Sequence, residues 1–169
     1  MKAFLFSIAI SATFILSAQQ PLPEKPGMTT SPGDTTWTKK ITKTKAEWKK
    51  VLSPKQYQIT REEGTEPAYT KGNFSDNREN GMYYCVSCGN PLFSSATKFD
   101  SGTGWPSFWR AYSTKSVKEL KDNSLGTERV AIECQRCDAH LGHIFEDGPK
   151  PTGLRYCMDG LALSFKKDK

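Results

Sequence analysis

The chain has 169 residues and a formal net charge of +6, with 36% hydrophobic, 11% aromatic and 25% charged residues. That length gives room for one ordinary domain, and that composition excludes a disordered tail, a collagen and a polytopic membrane protein. The charge is mild, +5 once Lys2 is removed with the leader described next, and does not by itself argue for a nucleic-acid partner.

Met1 to Ala18 reads as a secretory signal peptide. Lys2 supplies the positive end, and Ala3 to Leu16 is a run of 14 uncharged residues. Such a run is shorter than the roughly 20 apolar residues that span a bilayer. Leu16-Ser17-Ala18 then offers a small residue at the cleavage edge. The expectation is a cleaved leader, no stable membrane insertion afterwards, and an exported, periplasmic protein. Residues 19–40 carry Pro21, Pro23, Pro26, Pro32, Gly27 and Gly33 with little to bury. They read as a flexible linker. Residues 41–169 are then the folded domain.

Two short helices open that domain. Thr44-Lys45-Ala46-Glu47 fits a capping box, with Trp48, Val51 and Leu52 expected on one face. Ser53-Pro54-Lys55-Gln56 fits a second, with Pro54 at the first helical position, where its missing N–H costs nothing. Gly64 is expected to end the stretch.

Strand and turn signals follow. Met82 to Cys85, Lys98 to Asp100, Arg129 to Cys134, His143 to Phe145, Leu154 to Cys157 and Leu161 to Phe165 read as short strands. The intervals are short and rich in Gly and Pro. That pattern predicts a mainly β domain of antiparallel sheets behind short N-terminal helices.

Four of the five cysteines form two C-x-x-C pairs, Cys85/Cys88 and Cys134/Cys137, separated by 45 residues. A two-residue gap lets both thiolates of a tight turn point at one ion, and two such turns complete a tetrahedral shell. Four soft sulfurs with no open position describe a structural Zn2+ site. The rival reading is disulfides, since an exported chain meets an oxidising environment. Two C-x-x-C disulfides would close tiny loops and staple little.

Cys157 is the odd thiol. It can be a small buried residue or a reactive one. Arg155, Cys157 and Asp159 share a face if the strand is regular through them. The guanidinium favours thiolate. Asp159 opposes it if ionised, and donates a hydrogen bond if protonated. His140-Leu141-Gly142-His143 holds both histidines of the chain. They can be extra metal ligands, surface residues, or donors to an oxygen anion. Gly104-Trp105-Pro106-Ser107-Phe108-Trp109 packs three aromatics into six residues. These belong to the core or wall a pocket for a methyl or thioether group.

Together these pieces resemble the MsrB-type peptide-methionine (R)-S-oxide reductases. The resemblance rests on Gly64-Thr65-Glu66, Cys85-x-x-Cys88-Gly89 with Pro91-Leu92-Phe93, and Lys98 to Gly102 with Gly104 to Phe108. It continues through Cys134-x-x-Cys137, His140 to His143 with Phe145, Asp147-Gly148-Pro149, and Thr152-Gly153-x-Arg155-Tyr156-Cys157. It implies a β-tent fold of two antiparallel sheets and a structural zinc on the two C-x-x-C pairs, with no organic cofactor. It implies Cys157 as nucleophile, with His143 and His140 beside it as catalytic residues. Trp105, Arg155, Phe145 and position 159 would then surround the methyl sulfoxide. The implied partners are oxidised proteins or peptides containing methionine sulfoxide, and a thioredoxin-like reductant.

Two departures from the family pattern carry expectations. Thr103 stands where many relatives have a resolving cysteine, which predicts a one-cysteine cycle. Asp159 stands where most have Asn, which predicts an acid-shifted activity profile. Two other function classes are weighed against the reductase. A zinc-stabilised binding module has only its knuckles and a pI near 9.0 in support, and its basic residues are spread along the chain. A thiol–disulfide exchanger would need a C-x-x-C free of metal.

Overall fold

The computed structural model describes residues 39–169 apart from Leu125 and Thr127. The expected leader and most of the expected linker lie outside the described residues.

Helices α1 (Lys45–Val51) and α2 (Pro54–Glu62) each begin with a complete capping box, Thr44 with Glu47 and Ser53 with Gln56. Trp48 and Leu52 are buried as expected, but Val51 is 59% exposed. In so short a helix the apolar stripe is only two residues wide, and Val51 falls outside it. The left-handed residue that ends α2 is Glu63, at φ 53°. Gly64 follows and closes the turn by donating its N–H to the Gln58 carbonyl at 3.0 Å. No helix among the described residues is long and apolar enough to cross a membrane.

Nine strands follow among the described residues: β1 (Gly81–Cys85), β2 (Pro91–Ser94), β3 (Lys98–Phe99), β4 (Ser107–Phe108), β5 (Val117–Asp122), β6 (Arg129–Cys134), β7 (His140–Phe145), β8 (Arg155–Met158) and β9 (Leu163–Lys167). They form two antiparallel sheets, one ordered β2-β1-β9 and the other β3-β4-β8-β7-β6-β5. The mainly β expectation holds. The sequence reading does not single out β2, β4 and β5. Strands β2 and β4 are too short to show a period, and β5 is two-thirds charged (VKELKD). The last strand begins two residues later than expected, because Gly160–Ala162 forms a 3₁₀ turn.

Aromatic rings join the sheets. Phe93 of β2 stacks on Phe108 of β4 with centroids 4.4 Å apart, and Tyr83 of β1 meets the same ring edge-on at 5.0 Å. All three side chains are fully buried. Helix α2 packs against β7 and the Gly160–Ala162 turn. That contact brings the chain after the helix, Thr65 and Glu66, to the end of β8.

Candidate active site and metal centre

The two C-x-x-C pairs sit on matching turns. After β1, Gly89 donates to the Cys85 carbonyl at 2.8 Å and Cys85 to the Asn90 carbonyl at 2.8 Å. After β6, Asp138 donates to the Cys134 carbonyl at 2.9 Å and Cys134 to the Ala139 carbonyl at 2.8 Å. Gly89 and Asp138 both take positive φ, 72° and 56°. These are the turn-prone residues that follow each pair in the sequence.

The turns converge. The four sulfurs lie within 4.8 Å of one another, with Cys85 to Cys137 at 3.7 Å and Cys88 to Cys134 at 3.6 Å. A tetrahedron with metal–sulfur bonds of about 2.3 Å has edges of about 3.8 Å, so the donor set fits a divalent metal. All four are free thiols rather than disulfides. Arg61 of α2 reaches the cluster, donating to the Cys137 carbonyl at 2.8 Å and to its sulfur at 3.4 Å. The same guanidinium lies 3.8 Å over the Trp48 ring. The cluster thus ties both helices to the sheets. Neither histidine joins it.

Cys157 lies elsewhere, on β8. Its register partners are His143 on β7 and Ser107 on β4. Paired residues of adjacent strands project to the same face, so the register sets thiol and imidazole side by side. The two strands meet closely at Gly142, where φ is 143° and any Cβ would collide with the Cys157 carbonyl.

A cleft of about 140 Å³ opens over this face, lined by Cys157, His143, Trp105, Phe145, Asp159 and Thr65. The Trp105 indole N–H donates to the Glu66 carbonyl at 3.1 Å, which fixes the ring plane. Asp159 stands one residue beyond β8, so the regular strand anticipated through it is not present. Its side chain faces the cleft all the same. Its Oδ1 accepts from the Glu66 N–H at 3.0 Å. The Glu66 carboxylate in turn accepts from the N–H groups of Gly160 and Leu161 at 2.8 and 2.9 Å. Burial, with the Glu66 charge beside it, pushes the Asp159 carboxyl up to about 7.

Two of the expected site residues do not line this cleft. His140 lies behind His143, 5% exposed, with its Nε2 unpartnered and 4.0 Å from Asp159 Oδ2. Burial, with His143 nearby, lowers it to about 4, so it is a neutral imidazole near pH 7. Arg155 is held by Asp147 through two hydrogen bonds of 2.8 Å, with its guanidinium 4.4 Å from the Phe145 ring centroid. Its charge still acts on Cys157. Burial raises the thiol above its ordinary value, and Arg155, Thr103 and Ser107 oppose that rise.

The sequence alone assigns no role to Asp147, Glu66 and Asp122. Asp147 and Glu66 lie inside the motifs that carry the resemblance, but no spacing rule says that they would hold Arg155 and Asp159. Asp122, which bonds His143, gives no signal in the charged strand β5.

Comparison with known proteins agrees with this architecture. The SelR domain model matches residues 52–167. The peptide methionine sulfoxide reductase MsrB of Acinetobacter baylyi is 52% identical over 130 residues, 77% of this chain and 93% of that protein. The MsrB of Thiobacillus denitrificans is 55% identical over 123 residues, 73% of this chain and 92% of that protein. The mitochondrial methionine-R-sulfoxide reductase B2 of the rat is 49% identical over 137 residues, covering 77% of this chain and 78% of that one. With a matching domain model, half of the residues identical over most of the domain, and an unligated thiol set apart from a Cys₄ cluster, the chain belongs to the MsrB family of peptide methionine sulfoxide reductases.

Proposed function

We propose that the chain reduces the R epimer of methionine sulfoxide in peptides and proteins, with Cys157 as nucleophile. The observation that carries this reading is the grouping of Cys157, His143 and Trp105 around one cleft, while the other four cysteines gather in a separate cluster.

The sulfoxide has an electrophilic sulfur and a basic oxygen. Its methyl group would lie against Trp105, in the cleft that Phe145 also lines. Cys157 attacks the sulfur, and the sulfur–oxygen bond breaks as the oxygen takes up a proton. Oxygen passes to Cys157, so the substrate sulfur gains two electrons and the cysteine sulfur loses two. The products are the thioether and a Cys157 sulfenic acid, the reversible first step of thiol oxidation. At rest the buried thiol holds its proton, and the oxygen needs one. His143 in the same cleft is the group suited to carry it. Arg155 and the hydroxyls of Thr103 and Ser107 favour the thiolate as it forms.

The chain has five cysteines. Four gather at the metal cluster, so none is left to resolve the sulfenic acid. A thioredoxin-like dithiol attacks it instead, releasing water and returning the thiol. The metal is zinc, which suits four thiolates and no open position. It has no step in the reaction; its part is to hold the two C-x-x-C turns and α2 together.

We further propose that the protein is exported, with Met1–Ala18 removed, residues 19–40 as linker, and residues 41–169 working in the periplasm. N-terminal sequencing of the periplasmic protein tests that. For the activity, the mature chain is incubated with separated sulfoxide epimers and dithiothreitol. Consumption of the R epimer alone supports the reading, and consumption of the S epimer contradicts it.

A further inference from the structure

The ring of His143 has a partner on the side away from Cys157. Its Nε2 lies 2.8 Å from Oδ2 of Asp122, at the end of β5. Two strands separate β5 from β8 in the sheet, so Asp122 is remote from the nucleophile but touches the proposed proton donor.

The contact is built into the register. Asp122 faces Arg129 across β5 and β6, and Ala131 faces His143 across β6 and β7. Arg129 and Ala131 are two residues apart, so all four side chains share one face. Asp122 therefore reaches over β6 toward β7, and its Oδ2 closes on the imidazole at 2.8 Å. The small methyl of Ala131 leaves that line open.

Asp122 is anchored without the histidine. The Ser124 N–H donates to Oδ1 at 2.9 Å, and Arg129 Nη2 donates to Oδ2 at 2.6 Å. Ser124, then His143 and Arg129, hold its carboxyl well below the usual carboxylate range. Lys121, Glu63 and Glu133 line the same recess, but Asp122 is the group bonded to the ring. A carboxylate only accepts hydrogen bonds. The His143 nitrogen facing it must therefore carry a hydrogen, which leaves Nδ1 for the cleft.

We infer that Asp122 is a positioning residue that fixes the tautomer and ring plane of His143, so that Nδ1 exchanges a proton with the sulfoxide oxygen. An orienting carboxylate behind a catalytic imidazole does the same work in hydrolase triads. The inference rests on the reading of His143 as proton carrier, and the test separates the two.

The test is a double-mutant cycle with Asp122→Ala and His143→Gln, read as kcat and KM for the R sulfoxide with excess dithiothreitol. Asp122→Ala is expected to lower kcat by about tenfold to a hundredfold, part of what a positioned acid supplies, and to leave KM within about twofold. On the His143→Gln background the same change is expected to cost nothing further. Nitrogen-15 spectra of the histidines provide the second readout. His143 is expected as the Nε2–H tautomer in the parent and as a mixture in Asp122→Ala. Asp122→Asn, which keeps the shape of the side chain, is expected to show the same tautomer change if the alanine variant does not fold. An equal loss in both backgrounds, an unchanged kcat or an unchanged tautomer overturns the inference. A costly His143→Gln with a silent Asp122→Ala overturns Asp122 alone, whereas a silent His143→Gln removes the proton-carrier reading with it.

Discussion

The Thr103 hydroxyl lies 3.9 Å from the Cys157 sulfur. It starts a chain of hydroxyls that runs to Ser101 and then Ser107, each step 2.8 Å, and ends on the Trp105 carbonyl at 3.3 Å. Every hydroxyl can turn. The chain can point toward the sulfur when it is a thiolate and away from it when it is a thiol. A sulfur atom at position 103 would face Cys157 at close range.

Thr103→Cys is therefore expected to capture the oxidised enzyme. After one turnover without reductant, a disulfide between the introduced thiol and Cys157 should appear by peptide mass mapping, and sulfenic-acid probes should no longer label Cys157. Persistent labelling in this variant would mean that the two side chains do not meet as described.

Asp159 is expected to set the alkaline limit of activity. Its proton-bearing form is populated below about 7 and lost above it. A rate that uses that form declines as pH rises through about 7. Asp159→Asn donates a hydrogen bond at any pH, so its profile should extend to higher pH. The same shift acts on stability. The folded-state value lies above the ordinary 3.8, so this group's own contribution to stability is fully present below about pH 4 and is lost as pH rises through about 7. The Asn variant should lack that slope. Identical pH profiles for variant and parent would remove Asp159 from the reaction.

Much of this site could be read from residue spacing because covalent neighbours enforce it. A C-x-x-C turn needs only two residues between ligands, and both capping boxes are local too. What the spacing left out comes from contacts across strands. Asp122 meets His143 because β5, β6 and β7 lie in register, and Glu66 meets Asp159 because α2 packs on the turn after β8. Nothing within a few residues of either carboxylate encodes its partner. His140 shows the same limit. It shares a motif with His143, and a β-bulge next to Glu133, its partner on β6, turns it to the same face with the rings 5.4 Å apart, yet only His143 lines the cleft with Cys157.

Loss of the metal is expected to loosen the fold and leave the reacting groups intact. Cys88→Ser removes one half-exposed ligand of the cluster. Bound zinc should fall from one per chain to well below one, and Tm should drop by at least about 10 °C, a few kcal/mol for a domain of this size. A variant with unchanged Tm and no metal would deny the cluster a structural part.

Trp105→Ala removes the wall of the cleft and the hydrogen bond to the Glu66 carbonyl. Loss of a well-fitted apolar contact of this kind costs about tenfold or more in kcat/KM. Trp105→Phe, which keeps an aromatic face, should recover part of that loss. Equal values for both variants would mean that the ring does not touch substrate.

The most direct measurement is a single turnover. Reduced, zinc-loaded protein is mixed with one equivalent of the R sulfoxide and no reductant, and its cysteines are mapped by mass spectrometry. The expected result is one methionine per chain and a sulfenic acid confined to Cys157, with both products absent in Cys157→Ser. A disulfide between Cys157 and Cys85, Cys88, Cys134 or Cys137, or turnover that survives Cys157→Ser, would contradict attack by a lone, unresolved thiol.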